Sequence, residues 1–445
     1  MKVAIIGGGW AGMAAAVTAT RGGHHAIVFE ASRVLGGRAR GLNGTLPDGT
    51  PVTLDNGQHI LIGAYSETLR LMQLVGVDPD VALARLPLAL RFPDGSGLAL
   101  RHGPAPWDAL AGIVSTRGWG WRDKLALLRS AIGWRLGGFR CAPGASVAQL
   151  CAALTPRLQR EFIEPLCVAA LNTPAEQASG QVFLRVIRDS LFAGRGGSNL
   201  LLPRVDLAAL FPDAAARWLQ ARGGEVRMGQ RVQTLRCNLA PAEPSALARW
   251  HVNEEAFDRV ILATSASDAA AVLAASSVVA PETIAAQFRR WAGVARALRF
   301  EAITTVYALA TTSASSSAGL LHCPMLALRS SLDPARAAPA QFVFDRGQLG
   351  GPANLLAFVV STSNGNRDDL QAQVVAQARS QLGLRVAPIR TIVEKRATFA
   401  CTPGLRRPPP QIAPGLLACG DYIEGPYPAT LEGATRSGVA AAQFL

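Results

Sequence analysis

Lys2-Val3-Ala4-Ile5-Ile6-Gly7-Gly8-Gly9-Trp10-Ala11-Gly12 is the stretch that decides the fold. Val3 to Ile6 form a short apolar run suited to a strand buried in a parallel sheet. Gly7, Gly9 and Gly12 occupy the three positions of G-x-G-x-x-G. The first glycine permits the tight turn out of the strand, the second lets the backbone approach a pyrophosphate, and the third lets the next helix pack closely on the sheet. Trp10 and Ala11 complete the turn, and a small-residue helix runs to Arg21. Its N-terminus, with free N–H groups and a favourable dipole, is an anion site. A second strand, Ala26 to Phe29, ends in Glu30 and Ala31. An acid roughly 20 residues past the glycines is where a ribose hydroxyl needs an acceptor. The chain therefore opens as a dinucleotide-binding α/β unit.

After Glu30 comes Ala31-Ser32-Arg33-Val34-Leu35-Gly36-Gly37-Arg38. A simple nicotinamide half-site requires no second glycine pair here. The stretch resembles the extension found in the flavoprotein superfamily of amine oxidases and carotenoid desaturases. That resemblance implies FAD as cofactor, with Gly36, Gly37 and Arg38 along its pyrophosphate. It also implies a Rossmann-like, glutathione-reductase-like FAD domain built from residues 1–75, 207–285 and 396–445. The substrate domain, residues 76–206 and 286–395, is an inserted sheet with a helical cap, so the chain is α/β (α+β overall).

Asp55-Asn56-Gly57-Gln58-His59-Ile60-Leu61-Ile62-Gly63-Ala64-Tyr65 follows the pattern D-x-G-x-H-x-x-x-G-A-Y. It resembles plant-type phytoene and zeta-carotene desaturases, and more closely the bacterial hydroxysqualene dehydroxylases of the hopanoid pathway. In such proteins the segment returns to the flavin ring, so Gln58 and His59 are candidates to face flavin or substrate. A histidine merely satisfied by the backbone is the competing reading of His59. Ser66 is the expected N-cap of the helix that follows.

Arg195 to Asp206, expected to be a loop with an apolar centre, also resembles the squalene-associated members. At the other end, Gly420-Asp421-Tyr422 and Pro426-Tyr427-Pro428-Ala429-Thr430-Leu431-Glu432-Gly433-Ala434 resemble the superfamily's closing FAD motif. The resemblance implies that Asp421 accepts from a ribityl hydroxyl. Amides near Thr430 and Leu431, at a helix N-terminus, meet the flavin pyrimidine. Val232 contacts the adenine through its backbone.

The implied reaction is reductive removal of the allylic hydroxyl of hydroxysqualene, giving squalene. Reduced flavin supplies a hydride, which no side chain can. A positioned acid supplies the proton, and His59, Gln58 and Tyr427 are the candidate catalytic residues, with Glu432 behind them. A desaturase abstracting hydride with oxidised FAD is the alternative, and an amine oxidase a more distant one. No second dinucleotide fingerprint is present, so a separate reductase or quinol is the expected electron donor.

Composition bounds these readings. The 445 residues carry a net charge of +13, nearly all of it from arginine, since lysine occurs only at 2, 124 and 395. No zinc-finger spacing, aromatic RNA-binding signature or long basic block accompanies the charge, so nucleic acid is not the expected partner. Seven scattered cysteines without C-x-x-C point to a reducing compartment and to no metal site. No apolar run is long enough to span a bilayer. Between Trp107 and Arg140, tryptophans and arginines interleave with helically spaced leucines. That pattern suits either a helix lying in a membrane interface or an ordinary cap helix with a solvated basic face. The expected location is the cytoplasm, with peripheral contact at the inner face of the cytoplasmic membrane.

Overall fold

A six-stranded sheet lies under the opening sequence of the chain. The computed structural model describes residues 1–100, 107–192, 194, 196–238, 249–311, 319–331 and 337–445. The sheet order is Glu225–Met228, His25–Glu30, Lys2–Ile6, Arg259–Leu262, Leu416–Ala418 and Gln411–Ala413. The first five strands run parallel and the last is antiparallel. Val3 to Ile6 are at most 3% exposed, as a central strand covered on both faces requires. Helix Trp10–Arg21 covers one face and packs on the last helix, Leu431–Gln443. Their approach is close because the contact is made of small residues. A Cβ on Gly438 would stand 2.1 Å from the Ala11 carbonyl oxygen.

A second, five-stranded antiparallel sheet has the order Met325–Ala327, Phe342–Asp345, Leu355–Ser361, Phe300–Ala310 and Val386–Phe399. Its residues alternate between two environments, following the period of two in strands. Val306, Ala308, Leu356, Phe358 and Val360 pack with Leu370 and Val374 of helix Arg367–Gln377. Phe342, Phe344 and Val359 point the other way and line an internal cavity. The last strand of this sheet, Val386–Phe399, is 14 residues long and carries two register shifts against its neighbour.

Two expectations are corrected. Leu200–Pro203 is not loop but the middle strand of a small sheet, between Leu61–Ile62 and Leu83–Leu86. Its four residues are buried, so backbone pairing on both edges satisfies polar groups that a buried loop would leave open. Arg195, at the start of that segment, and the Trp107 side chain lie outside the described residues. Ala89–Arg91 and Gly97–Ala99 form a hairpin around Pro93-Asp94-Gly95. Ser66 does not cap its helix, Ser66–Leu74. The first-turn amides of Glu67 and Thr68 instead donate to the Glu432 carboxylate, at 3.1 and 2.9 Å.

All seven cysteines are free, four of them buried. Among the described residues no helix is long and apolar enough to cross a membrane.

Candidate active site

A cleft of about 850 Å³ lies along the C-terminal ends of the Rossmann strands, where open α/β sheets bind ligands. Gly7, Gly9, Trp10, Ala11, Glu30, Ala31, Gly36, Gly37, Arg38, Val232, Gly420, Asp421, Thr430 and Leu431 all line it. Gly12 does not. Its Cβ position is 1.9 Å from the Gly7 carbonyl oxygen, so its contribution is close packing of helix on turn.

The two glycine stretches meet backbone to backbone. Gly36 N–H donates to Gly8 O at 3.0 Å, and Gly9 forms a bridge with Gly36. A Cβ on Gly9 would find no atom closer than 3.9 Å and would project into open space. That space beside a helix N-terminus is a cradle for a pyrophosphate, and the residues present fit FAD. Gly7 has φ +116° and its Cβ would lie 2.6 Å from Ala263 O, so glycine is required there. The Glu30 carboxylate faces the cleft while accepting from Gly8 N and Ser32 N, both at 2.7 Å.

Arg38 ties the two halves of the cleft. Its guanidinium pairs with Asp421 and donates to Ala397 O at 3.0 Å. One Asp421 oxygen is thereby engaged, leaving the other to accept from a ligand. Thr430 caps the last helix, accepting from Gly433 N at 2.9 Å. The helix's first amides, which have no intrahelical partner, therefore start at the cleft wall.

A second cavity abuts the first. It is lined mainly by apolar groups, among them Ile60, Ile62, Leu88, Leu90, Leu166, Val182, Val186, Ile303, Phe342, Phe344 and Val359. Gln58, His59 and Tyr427, the three candidate catalytic residues, all reach it. His59, Arg38, Glu394, Thr398, Ala429, Thr430 and Leu431 line both spaces. His59 therefore stands where the cofactor cleft and the apolar cavity join.

The segment Asp55–Tyr65 is shaped to put it there. Asp55 is buried and closes a local ring of bonds: Gly57 N donates to Oδ1 at 2.9 Å, His59 N to Oδ2 at 2.6 Å, and His59 Nδ1 lies 2.7 Å from Oδ1. Tyr307 O–H donates to the Asp55 carbonyl at 2.7 Å. Gln58 adopts φ +48° and is 3% exposed, and its Nε2 has no partner among the described residues. Gly63 allows contact with the neighbouring loop, since its Cβ would stand 1.9 Å from Gly196 O.

Burial disfavours charge on both His59 and Asp55, yet their mutual attraction and hydrogen bond outweigh it. The imidazole is held above its ordinary pKa and the carboxyl below. Nδ1 engages Asp55, so the proton on Nε2 is the one available to a ligand. Tyr427 has its hydroxyl pushed up by burial and by the nearby Asp189 charge; it stays protonated at neutral pH. Glu432 lines neither cavity. It is fully buried and accepts from Glu67 N, Thr68 N, Thr68 Oγ1 and Arg436 Nε. It is a structural carboxylate, so the weaker expectation of an acid there is withdrawn.

Sequence reasoning missed several residues at the junction. Glu394 and Thr398 arrive from the long strand of the second sheet, and nothing local marks them. Asn56 was inside the quoted segment without a role. Its amide donates to Arg38 O at 2.8 Å and accepts from Arg40 N at 3.1 Å, locking the second glycine loop to the His59 segment. Asp55 itself was legible, as the acid four residues before the histidine.

Comparison with known proteins agrees with this geometry. The profile of flavin containing amine oxidoreductases matches residues 10–445. A hydroxysqualene dehydroxylase of Zymomonas mobilis is 25% identical over 99% of this chain and 98% of its own. One from Rhodopseudomonas palustris is 27% identical over 100% and 98%. Among solved structures, an oxidoreductase from Methanosarcina mazei superposes with a TM-score of 0.71 at 16% identity, each chain covered fully. Strand order, both ends of the cofactor cleft and the matched length agree: the chain is an FAD-dependent oxidoreductase and belongs to the flavin containing amine oxidoreductase family.

Proposed function

We propose that this protein removes the allylic hydroxyl of hydroxysqualene reductively, giving squalene. The observation that carries the reading is the position of His59, an imidazole bonded to the Asp55 carboxylate at the junction of an apolar cavity and the FAD cleft. Full-length similarity to two hydroxysqualene dehydroxylases supports it.

The apolar wall takes the polyprenoid chain and keeps water from the reacting carbon. His59 gives its Nε2 proton to the hydroxyl oxygen, so the C–O bond breaks with water as leaving group. FAD, when bound and reduced, supplies the hydride that completes the carbon. Gln58 and Tyr427, on the same cavity, donate to the substrate oxygen and hold it against His59. Asp55 fixes the imidazole's tautomer and orientation and balances its charge.

The electron donor is a separate reductase or quinol. The protein works at the inner face of the cytoplasmic membrane, into which such a substrate partitions.

The test is product identity. Reduced, FAD-loaded protein is incubated without oxygen with hydroxysqualene in detergent, and the extract is analysed by mass spectrometry. Squalene is expected. Unchanged hydroxysqualene, with desaturated product formed from phytoene by the oxidised protein, would move the assignment to the desaturases.

A further inference from the structure

Helix Trp121–Leu136 is apolar on two sides. One side meets the protein through buried Leu127, with Asp123 beside it, and through Leu128 and Trp134. The other leaves Trp121, Leu125, Ile132 and Leu136 in solvent, at 72, 54, 58 and 84% exposure. Spacings of four, seven and four residues put these four on one helical face. A row of large apolar side chains this exposed marks a contact surface, whereas single exposed leucines do not.

The border of that row is basic. Arg122, Lys124, Arg129 and Arg135 are the helix's cations, and Asp123 is its sole acid. Asp123 is buried and accepts from Thr155 Oγ1 at 2.6 Å and Gly120 N at 2.9 Å. The neighbouring acids are also engaged: Glu161 accepts from Trp119 Nε1 at 3.1 Å and Asp94 pairs with Arg329 at 3.0 Å. Just before the helix, Arg91, Arg117 and His322 face a polar cavity of about 410 Å³ with Ser115 and Thr116. Apolar side chains at the centre, cations at the rim and a basic recess beside them match an anionic lipid bilayer.

The far end of the helix leads to the substrate. Phe139 packs against Phe192, with ring centroids 5.1 Å apart and the rings tilted by 57°. Phe192 closes the turn Arg188–Phe192, whose Asp189 and Ser190 line the apolar cavity. Gln181 clamps the same join, donating to Phe139 O at 3.0 Å and accepting from Cys141 N at 3.2 Å.

We propose that helix Trp121–Leu136 lies in the surface of an anionic bilayer, with its apolar row in the acyl region and its arginines on the headgroup phosphates, and that it sets the apolar cavity against the membrane. The proposal rests on the reading that the protein works against a bilayer, not on which polyprenoid it reduces.

Vesicle flotation of the FAD-loaded protein tests it. Phosphatidylcholine vesicles containing phosphatidylglycerol float the protein, pure phosphatidylcholine vesicles float far less, and raised salt weakens the difference. Leu125→Ser/Ile132→Ser/Leu136→Ser reduces the floated fraction tenfold or more, with flavin content and squalene formation in detergent unchanged. Arg122→Gln/Arg129→Gln/Arg135→Gln removes the preference for anionic lipid. Two outcomes overturn the proposal, a triple-serine variant that floats equally well and wild-type protein that stays with the buffer, the second in two forms: as a monomer, or as a dimer that the triple-serine variant dissociates. The last assigns the face to a second copy of the chain. Flotation uses no substrate, so its failure leaves the dehydroxylation reading standing, and failure to form squalene leaves the docking surface standing.

Discussion

Asp55 Oδ1 lies 2.7 Å from His59 Nδ1, and Asp55 Oδ2 accepts the His59 backbone N–H at 2.6 Å. One carboxylate thus holds both the ring and the main chain of the same histidine. With Tyr307 fixing the Asp55 carbonyl, the carboxylate that holds the imidazole at the cavity junction is itself held in place. The proposed role of His59 as proton donor to one oxygen calls for that restraint.

The couple predicts a pH profile. In its proposed role His59 acts as its cation, and its pKa is raised above 6.5, so flavin reoxidation by substrate should be fast at low pH and fall as pH rises through that raised value. Asp55→Asn removes the charge that raises it and leaves the burial that lowers it. The falling limb should then move below pH 6.5, read by stopped-flow flavin absorbance across pH. A limb that stays in place would mean that His59 is not the titrating acid.

Stability should follow the same pair. Asp55, depressed below its ordinary 3.8, contributes above that value and loses its contribution as pH falls through its folded pKa. His59, raised above 6.5, contributes fully below 6.5 and loses its contribution as pH rises through its folded pKa. The pair therefore stabilises most between about pH 4 and 6.5. Subtracting the thermal melts of Asp55→Asn from those of wild type should give a difference that peaks in that window; a flat difference would contradict the ion pair.

Two glycines of one motif should respond differently. Gly9→Ala places its methyl group in open cleft at φ −77°, so the apoprotein keeps its stability or gains about 0.5 kcal/mol while FAD occupancy falls. Gly12→Ala places a methyl group 1.9 Å from Gly7 O and should cost about 3 kcal/mol or more through overpacking. Urea melts with flavin titration separate the two effects.

Glu432→Ala should destabilise without altering chemistry in the molecules that remain folded. It leaves the amides of Glu67 and Thr68 uncapped and takes the carboxylate from Arg436, which keeps its 2.8 Å bond to Ser66 Oγ. Arg436 is about two-fifths exposed and can hydrate, so a loss of about 2 kcal/mol is expected, mostly from the cap. Denaturant unfolding reads the loss; an unchanged midpoint would refute the capping role.

Local signals made much of this molecule legible. The strand–glycine–helix–strand opening, Lys2 to Glu30, and the Gly420–Leu431 closure each carry their chemistry in one continuous stretch, and the structure brings both to one cleft. Contacts between distant segments were not legible. Glu432 caps a helix some 365 residues earlier, and Ser66, a good cap by residue type, lost to it. Leu200–Pro203 reads as a loop because neither of its strand partners is adjacent in the chain. Glu394 and Thr398 reach the junction on a 14-residue strand whose pairing with Phe300–Ala310 no local pattern marks. The exposure of Trp121, Leu125, Ile132 and Leu136 also needed the structure, since helical periodicity alone gives both faces of that helix the same look.

One measurement addresses the central claim most directly: anaerobic single-turnover oxidation of the reduced, FAD-loaded enzyme by hydroxysqualene, for wild type and His59→Ala side by side. Wild type should reoxidise its flavin with one squalene formed per flavin. The variant, with FAD still bound, should be slower by about 10²- to 10⁴-fold, the range for loss of a general acid. Equal rates for the two proteins would contradict the account.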